Sequence, residues 1–190
     1  MIKRLFIAIE PDRNLIDSIH SLQKELQRLL PFKGIRWVDP SLFHITLRFL
    51  GDTDVRQIPK LVSLLNSAAE TRPSFSVVFE GVGHFSSRGA LRTIWAGTRG
   101  NVQLEQLFDT VNHCTGFLQP DQKQRYSPHL TLARGSDRLT RQESALIIQT
   151  LCAYNEIFFG ETYLTGFELF ESTLTPTGPV YKKVQSFNLG

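Results

Sequence analysis

Apolar and polar positions change period several times along this chain, and each change marks an element. Leu5, Phe6, Ile7, Ala8 and Ile9 run without a polar break. That is the pattern of a strand buried on both faces, and residues 2–10 are read as β. Pro11-Asp12 opens a helical spacing, with Leu15, Ile16, Ile19, Leu22, Leu26, Leu29 and Leu30 in one stripe until Pro31 and Gly34 stop it. A short strand is expected at 35–38. Over 43–50 the period falls to two. Phe43, Ile45, Leu47 and Phe49 take one face, His44, Thr46 and Arg48 the other, and Gly51-Asp52 ends the strand.

The same reading continues to the C-terminus. A helix is expected over 55–69, with Pro59 in its first turns, where proline is tolerated. Residues 75–85 and 91–98 read as a hairpin around Ser86-Ser87-Arg88-Gly89. Asn101 caps a helix through 117 whose apolar face holds Leu104, Leu107, Phe108 and Val111. Residues 119–125 are a polar connection. A second period-two strand covers 128–134 and stops at Gly135. Thr140 and Glu143 form a capping box for a helix over 140–153. Strands at 156–171, bent near Gly160 or Gly166, and at 180–187 close the chain.

The two period-two strands carry the same tetrapeptide pattern. His44-Ile45-Thr46-Leu47 returns 85 residues later as His129-Leu130-Thr131-Leu132, and Gly81 and Phe85 return at the same offset as Gly166 and Phe170. Each half reads helix, His-x-Thr strand, helix, β-hairpin. The predicted fold class is therefore α+β: two pseudo-twofold-related lobes of antiparallel sheet, helices packed outside, an active-site cleft between. The expected organisation is a single bilobal domain, 1–190, with an internal repeat at about 35–98 and 120–187.

Composition narrows the setting. The chain has 190 residues, of which 41% are hydrophobic, enough for a sizeable core. A net charge of +3 suits an anionic substrate without being a nucleic-acid footprint by itself. Cys114 and Cys152 lack metal spacing and make no disulfide framework, as in a reducing compartment. The apolar run at 5–9 is too short for a signal segment, and nothing reaches transmembrane length. A soluble, cytoplasmic, monomeric protein that makes no membrane contact is expected.

In a strand, residues i and i+2 share a face, so each tetrapeptide offers an imidazole and a hydroxyl together. Two imidazoles in one cleft suit an in-line displacement at phosphorus, one accepting a proton and the other donating one. Thr46 and Thr131 can donate to the nonbridging oxygens, and Arg48 and Arg134 are the cationic candidates. Arg48 is in register with His44. Strict alternation puts Arg134 on the opposite face, so it reaches the cleft only if the strand bends or ends there, which Gly135 permits. Trp37, Tyr126 and Phe85 are candidates for stacking a nucleobase. Two His and two Thr lack the Cys or carboxylate ligands usual for zinc, so neither metal nor cofactor is expected.

With these residues the chain resembles the 2H phosphoesterases, a superfamily named for two His-x-Ser/Thr-x motifs, and within it the bacterial and archaeal 2′-5′ RNA ligase-like branch of RNA 2′,3′-cyclic phosphodiesterases. The resemblance runs through Arg4-Leu5-Phe6-Ile7-Ala8-Ile9, Arg36-Trp37-Val38, Phe43 to Gly51, Ile94-Trp95-Ala96-Gly97, Pro128 to Arg134 and Leu169-Phe170-Glu171-Ser172. It implies metal-independent hydrolysis of a terminal 2′,3′-cyclic phosphate, on RNA ends or small cyclic nucleotides, to a 2′-phosphomonoester. It also implies His44 as proton donor, His129 as proton acceptor, Arg134 as the arginine five residues after the second His and Arg48 as the basic residue four after the first. Two alternatives stay open: reversible 2′-5′ RNA ligation in the same site, and an RNA-end-binding module without turnover. Binding alone does not require two titrating groups, which counts against the second.

Overall fold

A computed structural model describes residues 1–118, 126–176 and 178–190. The polar connection expected at 119–125 lies outside them. The elements in chain order are β1 (Ile2–Ile9), α1 (Arg13–Leu29), β2 (Ile35–Trp37), β3 (Ile45–Asp54), α2 (Ile58–Glu70), β4 (Phe75–Ser87), β5 (Ala90–Thr98), α3 (Val102–Thr115), β6 (His129–Gly135), α4 (Arg141–Leu151), β7 (Phe158–Leu164), β8 (Gly166–Thr175) and β9 (Gly178–Asn188). Among the described residues no helix is long and apolar enough to cross a membrane.

Local chemistry sets the helix starts where the sequence places them. Asp12 caps α1 by accepting from the Leu15 N–H, Asn101 caps α3 by accepting from the Leu104 N–H, and Thr140 and Glu143 form the reciprocal box on α4. Helix α2 begins three residues later than expected, because a 3-10 turn over Val55–Gln57, capped by Asp54, precedes it. The hairpin between β4 and β5 turns on Arg88 and Gly89, both with positive φ (53° and 79°), the pair of left-handed residues that a tight two-residue turn demands. The strand expected over 156–171 is two strands, β7 and β8, broken at Thr165.

The strands form one curled, wholly antiparallel sheet in the order β7-β4-β5-β6-β3-β1-β8-β9, with β2 also paired to β6. Its centre is the seam between β6 and β3, where Leu130 and Ile45 are partners. Strands β4 to β7 lie on one side of the seam, packed against α1 and α4. Strands β3, β1, β8 and β9 lie on the other, packed against α2 and α3. Each lobe thus draws on both sequence repeats. Hairpin β4–β5 of the first repeat sits beside β6 of the second, and β8 of the second sits beside β1.

Burial separates the two faces of the sheet. On the helix side one continuous core includes Leu5, Ile7, Ile9, Ile45, Leu47, Leu61, Leu104, Leu130, Leu132 and Ile147. The opposite, concave face carries a second small apolar cluster, Phe6, Ala8 and Phe170 with Tyr181 against it. The run at 5–9 is apolar throughout because β1 lies between β3 and β8 with apolar groups on both faces.

Candidate functional site

Both motif strands depart from strict alternation at the same place. In the β1–β3 ladder Ala8 pairs with Thr46 and Ile7 with Arg48, so Leu47 is an extra residue. In the β5–β6 ladder Trp95 pairs with Thr131 and Ile94 with Ala133, so Leu132 is the extra residue. A bulge of this kind puts two successive side chains on one face and inverts the parity beyond it. Leu47 and Arg48 are both buried, as are Leu132 and Ala133, while Phe49 and Arg134 turn outward.

This settles the two arginines differently from their spacing. Arg134 joins the face of His129 and Thr131 and lines a cleft of about 1050 Å³ together with His44 and Thr131. The bend expected at Gly135 is in fact the bulge at Leu132. Arg48, expected beside His44, is instead turned under α3, where its guanidinium donates to the Asn112 side-chain oxygen. By the 85-residue offset the counterpart of Arg134 is Phe49, 63% exposed and near Phe6 on the concave face.

The bulge in β6 has its own support. Gln23, nearly fully buried on α1, donates from Nε2 to the carbonyls of Leu132 at 3.0 Å and Val38 at 2.8 Å, and the Val38 N–H donates to the Leu132 carbonyl at 2.9 Å. A buried amide nitrogen that donates to two backbone carbonyls is a fixed part of the structure.

The two imidazoles are held alike. His44 Nδ1 lies 2.7 Å from the Leu42 carbonyl, and His129 Nδ1 lies 2.8 Å from the Ser127 carbonyl. A carbonyl only accepts, so each Nδ1 carries the proton and each Nε2 is left to titrate. His44 is flanked by Phe6 and Tyr181, with ring centroids at 5.2 and 5.5 Å. His129 is flanked by Phe85 at 4.9 Å, edge-on, and by Trp95 at 6.3 Å. Burial holds both imidazoles below the ordinary histidine range, their carbonyl bonds oppose this, and the charge of Arg134 pushes both further down. The charge of His129 also lowers His44, whereas Glu10 raises it.

The remaining candidates divide. Continuing the Ile45–Leu130 register by one residue sets His44 across from Thr131 and His129 across from Thr46 on the concave face. Thr46 and His129 lie outside the lining of the 1050 Å³ cleft and flank it. Trp37 lines that cleft, half-buried. Phe85 is exposed at the rim beside His129. Tyr126 does not reach the cleft. It lines a separate cavity of about 420 Å³ with Trp95 and Ser127, and its ring stacks on Phe108 at 3.9 Å, which covers one of its faces.

Sequence reasoning missed Phe6, Trp95, Tyr181 and Arg36 as residues of the site. Phe6 sits in a uniformly apolar run, so nothing marks it. Tyr181 comes from the β8–β9 hairpin of the other repeat and has no local signal. For Trp95 the one signal was Gly83, a glycine inside a strand pattern, which marks a close approach; in the structure the indole lies across it, where any side chain would run into the ring.

A profile of LigT-like phosphoesterases matches residues 9–95. A protein of Aquifex aeolicus named RNA 2′,3′-cyclic phosphodiesterase is 30% identical over 193 residues, covering 98% of this chain and 97% of that protein. The chain belongs to the LigT-like phosphoesterases. A second protein of the same name, from Archaeoglobus fulgidus, is 29% identical over 97% of this chain and 99% of its own length. Among solved structures, TT0787 of Thermus thermophilus superposes with a TM-score of 0.81 at 26% identity, over 98% of this chain and 97% of that one. LigT of E. coli, crystallised with 3′-AMP, has the same fold, with a TM-score of 0.79 at 22% identity over 100% of this chain and 99% of its own. The paired His-x-Thr strands of this LigT-like phosphoesterase are thus set in the fold that the sequence resemblance implied.

Proposed function

We propose that this protein is an RNA 2′,3′-cyclic phosphodiesterase, which opens a terminal 2′,3′-cyclic phosphate by two-histidine acid–base catalysis and leaves a 2′-phosphomonoester. The observation that carries the reading is the matched pair His44 and His129. Each has Nδ1 tied to the carbonyl two residues upstream, and each sits by the same cleft as Arg134. Near-full-length relatives named for this activity support it.

The roles are those that the order of the two motifs implies in the family the chain resembles. His129, neutral, takes the proton of the attacking water on Nε2. His44, protonated, gives its Nε2 proton to the departing 3′ oxygen. The P–O3′ bond breaks as the P–O(water) bond forms, and the phosphate stays on the 2′ oxygen. At His44 the Leu42 carbonyl and, more weakly, Glu10 favour the protonated form, against burial and the charges of Arg134 and His129, which together hold the imidazole below its ordinary range. The guanidinium of Arg134 and the hydroxyls of Thr46 and Thr131 stabilise the charge that gathers on the nonbridging oxygens. Trp37 and Phe85 are the aromatic walls for the terminal base. The reading takes residues 1–190 as one bilobal domain built on an internal repeat, acting as a monomer on RNA ends in the cytoplasm.

The test is a defined oligoribonucleotide ending in a 2′,3′-cyclic phosphate, incubated with the protein in excess EDTA. The expected product gains one water, carries a 2′-phosphate by mass spectrometry, and becomes sensitive to phosphatase. Binding without turnover, a 3′-phosphate product, or turnover lost in EDTA would overturn the mechanism.

A further inference from the structure

A second cation shares the cleft. Arg36 of β2 and Arg134 of β6 are Cα partners in an antiparallel pair, and both line the cleft with His44 and Thr131. Like charges directly opposite on neighbouring strands destabilise a sheet. Among the described residues neither arginine is in an ion pair with a carboxylate. The one carboxylate among the described residues lining the cleft, Asp39, is engaged in its own turn, accepting from the Ser41 N–H at 2.9 Å and hydroxyl at 2.7 Å. Two exposed guanidinium groups without an acidic partner therefore stand on one wall, a site for two negative charges.

The two are not equivalent. The charge of Arg134 lowers both His44 and His129, which puts its guanidinium within reach of the two imidazoles. On the phosphodiesterase reading Arg134 is the cation at the reacting phosphorus, and Arg36, its partner on β2 next to Trp37, is the second cation of the same wall.

We propose that Arg36 binds a second phosphate of the substrate, the one on O5′ of the same nucleotide whose 2′,3′-cyclic phosphate faces the two histidines. The inference rests on the phosphodiesterase reading and narrows its substrate class. One ribose separates the two phosphates, and two cations rooted at opposed strand positions take one each. The preferred substrates carry phosphate at O5′, as a terminal monoester or as the internucleotide link of an oligoribonucleotide. A nucleoside 2′,3′-cyclic phosphate with a free 5′-hydroxyl leaves Arg36 unused.

The experiment compares kcat/KM for three substrates: a nucleoside 2′,3′-cyclic phosphate, the same nucleoside with an added 5′-phosphate, and a dinucleotide ending in the same cyclic phosphate. The parent is expected to favour a substrate with phosphate at O5′ by about tenfold, a gain that shrinks as salt is raised. Arg36→Gln should cut the gain to about twofold, and Arg36→Lys, which keeps the charge without the fork, should fall between. A gain for the monoester alone assigns Arg36 to a terminal phosphate, and a gain for both assigns it to either source. Equal rates on all three substrates in the parent, or a gain undiminished in Arg36→Gln with parental thermal melting, overturns the proposal while the phosphodiesterase reading stands. No turnover of any substrate by the parent overturns that reading itself.

Discussion

Ile45 of β3 and Leu130 of β6 are ladder partners at the seam of the sheet, and both side chains are fully buried on the helix side. Their neighbours lie on the concave face, so each motif histidine stands across from the other motif's threonine. On the proposed mechanism the pseudo-twofold relation sets an imidazole and a hydroxyl on each side of the reacting phosphate. Replacing either His44 or His129 by Ala should lower kcat by about 10²- to 10⁴-fold. The double variant should lose much less than the product of the two, because the groups act as a unit. Kinetics of the two single variants and the double one check this, and strictly multiplicative losses would show two independent roles.

The pH profile of kcat/KM should be bell-shaped, since the active form carries one proton on the histidine pair. Burial, and then Arg134, hold both imidazoles below the ordinary value of 6.5, so the bell should be centred on the acid side of it. Arg134→Gln removes a positive charge that disfavours imidazolium, and the residual activity should move to higher pH. An unmoved profile in that variant would separate Arg134 from the histidines.

The same shifts predict a stability slope. Below 6.5 the unfolded chain binds protons at these two imidazoles before the folded chain does. Folding stability should therefore rise with pH from about 5 to 7, where histidine titrates. Denaturant melts across that window should be flatter for the double variant His44→Asn/His129→Asn. A slope equal to the parent's would place the effect in other groups.

Arg134 and Arg48 should respond oppositely to substitution. Arg134→Ala removes a cation from the cleft and should cost about 10²-fold or more in kcat/KM with little change in Tm. Arg48→Ala removes a buried guanidinium that bonds Asn112, and should cost about 1.5–3 kcal/mol of stability while the folded fraction retains near-parental kcat/KM. A large rate loss for folded Arg48→Ala would falsify its placement under α3.

Gln23 is far from any proton transfer, yet it should matter to activity. Gln23→Leu takes the side-chain donor from the Val38 and Leu132 carbonyls and should cost about 1–3 kcal/mol of stability. The bulge that aims Arg134 loses one of its supports, so kcat/KM should fall along with Tm. A destabilised variant with parental kcat/KM would mean that the Val38–Leu132 backbone bond alone maintains the bulge.

Much of this protein is legible in its sequence, because local energetics decide it. Asp12, Asn101 and Thr140 each accept from an N–H group just downstream, a local bond, so helix starts follow from them. The repeated His-x-Thr puts both working groups of each strand on one face by the period of two. What sequence could not decide is where that period breaks. The bulges at Leu47 and Leu132 depend on the register that β1 and β5 impose, and on a glutamine more than a hundred residues away from Leu132. They send Arg48 into the core and Arg134 into the cleft, against simple alternation. Nor could sequence place Tyr181 beside His44 or Arg36 opposite Arg134. Those contacts join elements that are distant along the chain, and they form only when the sheet order brings their strands and hairpins together.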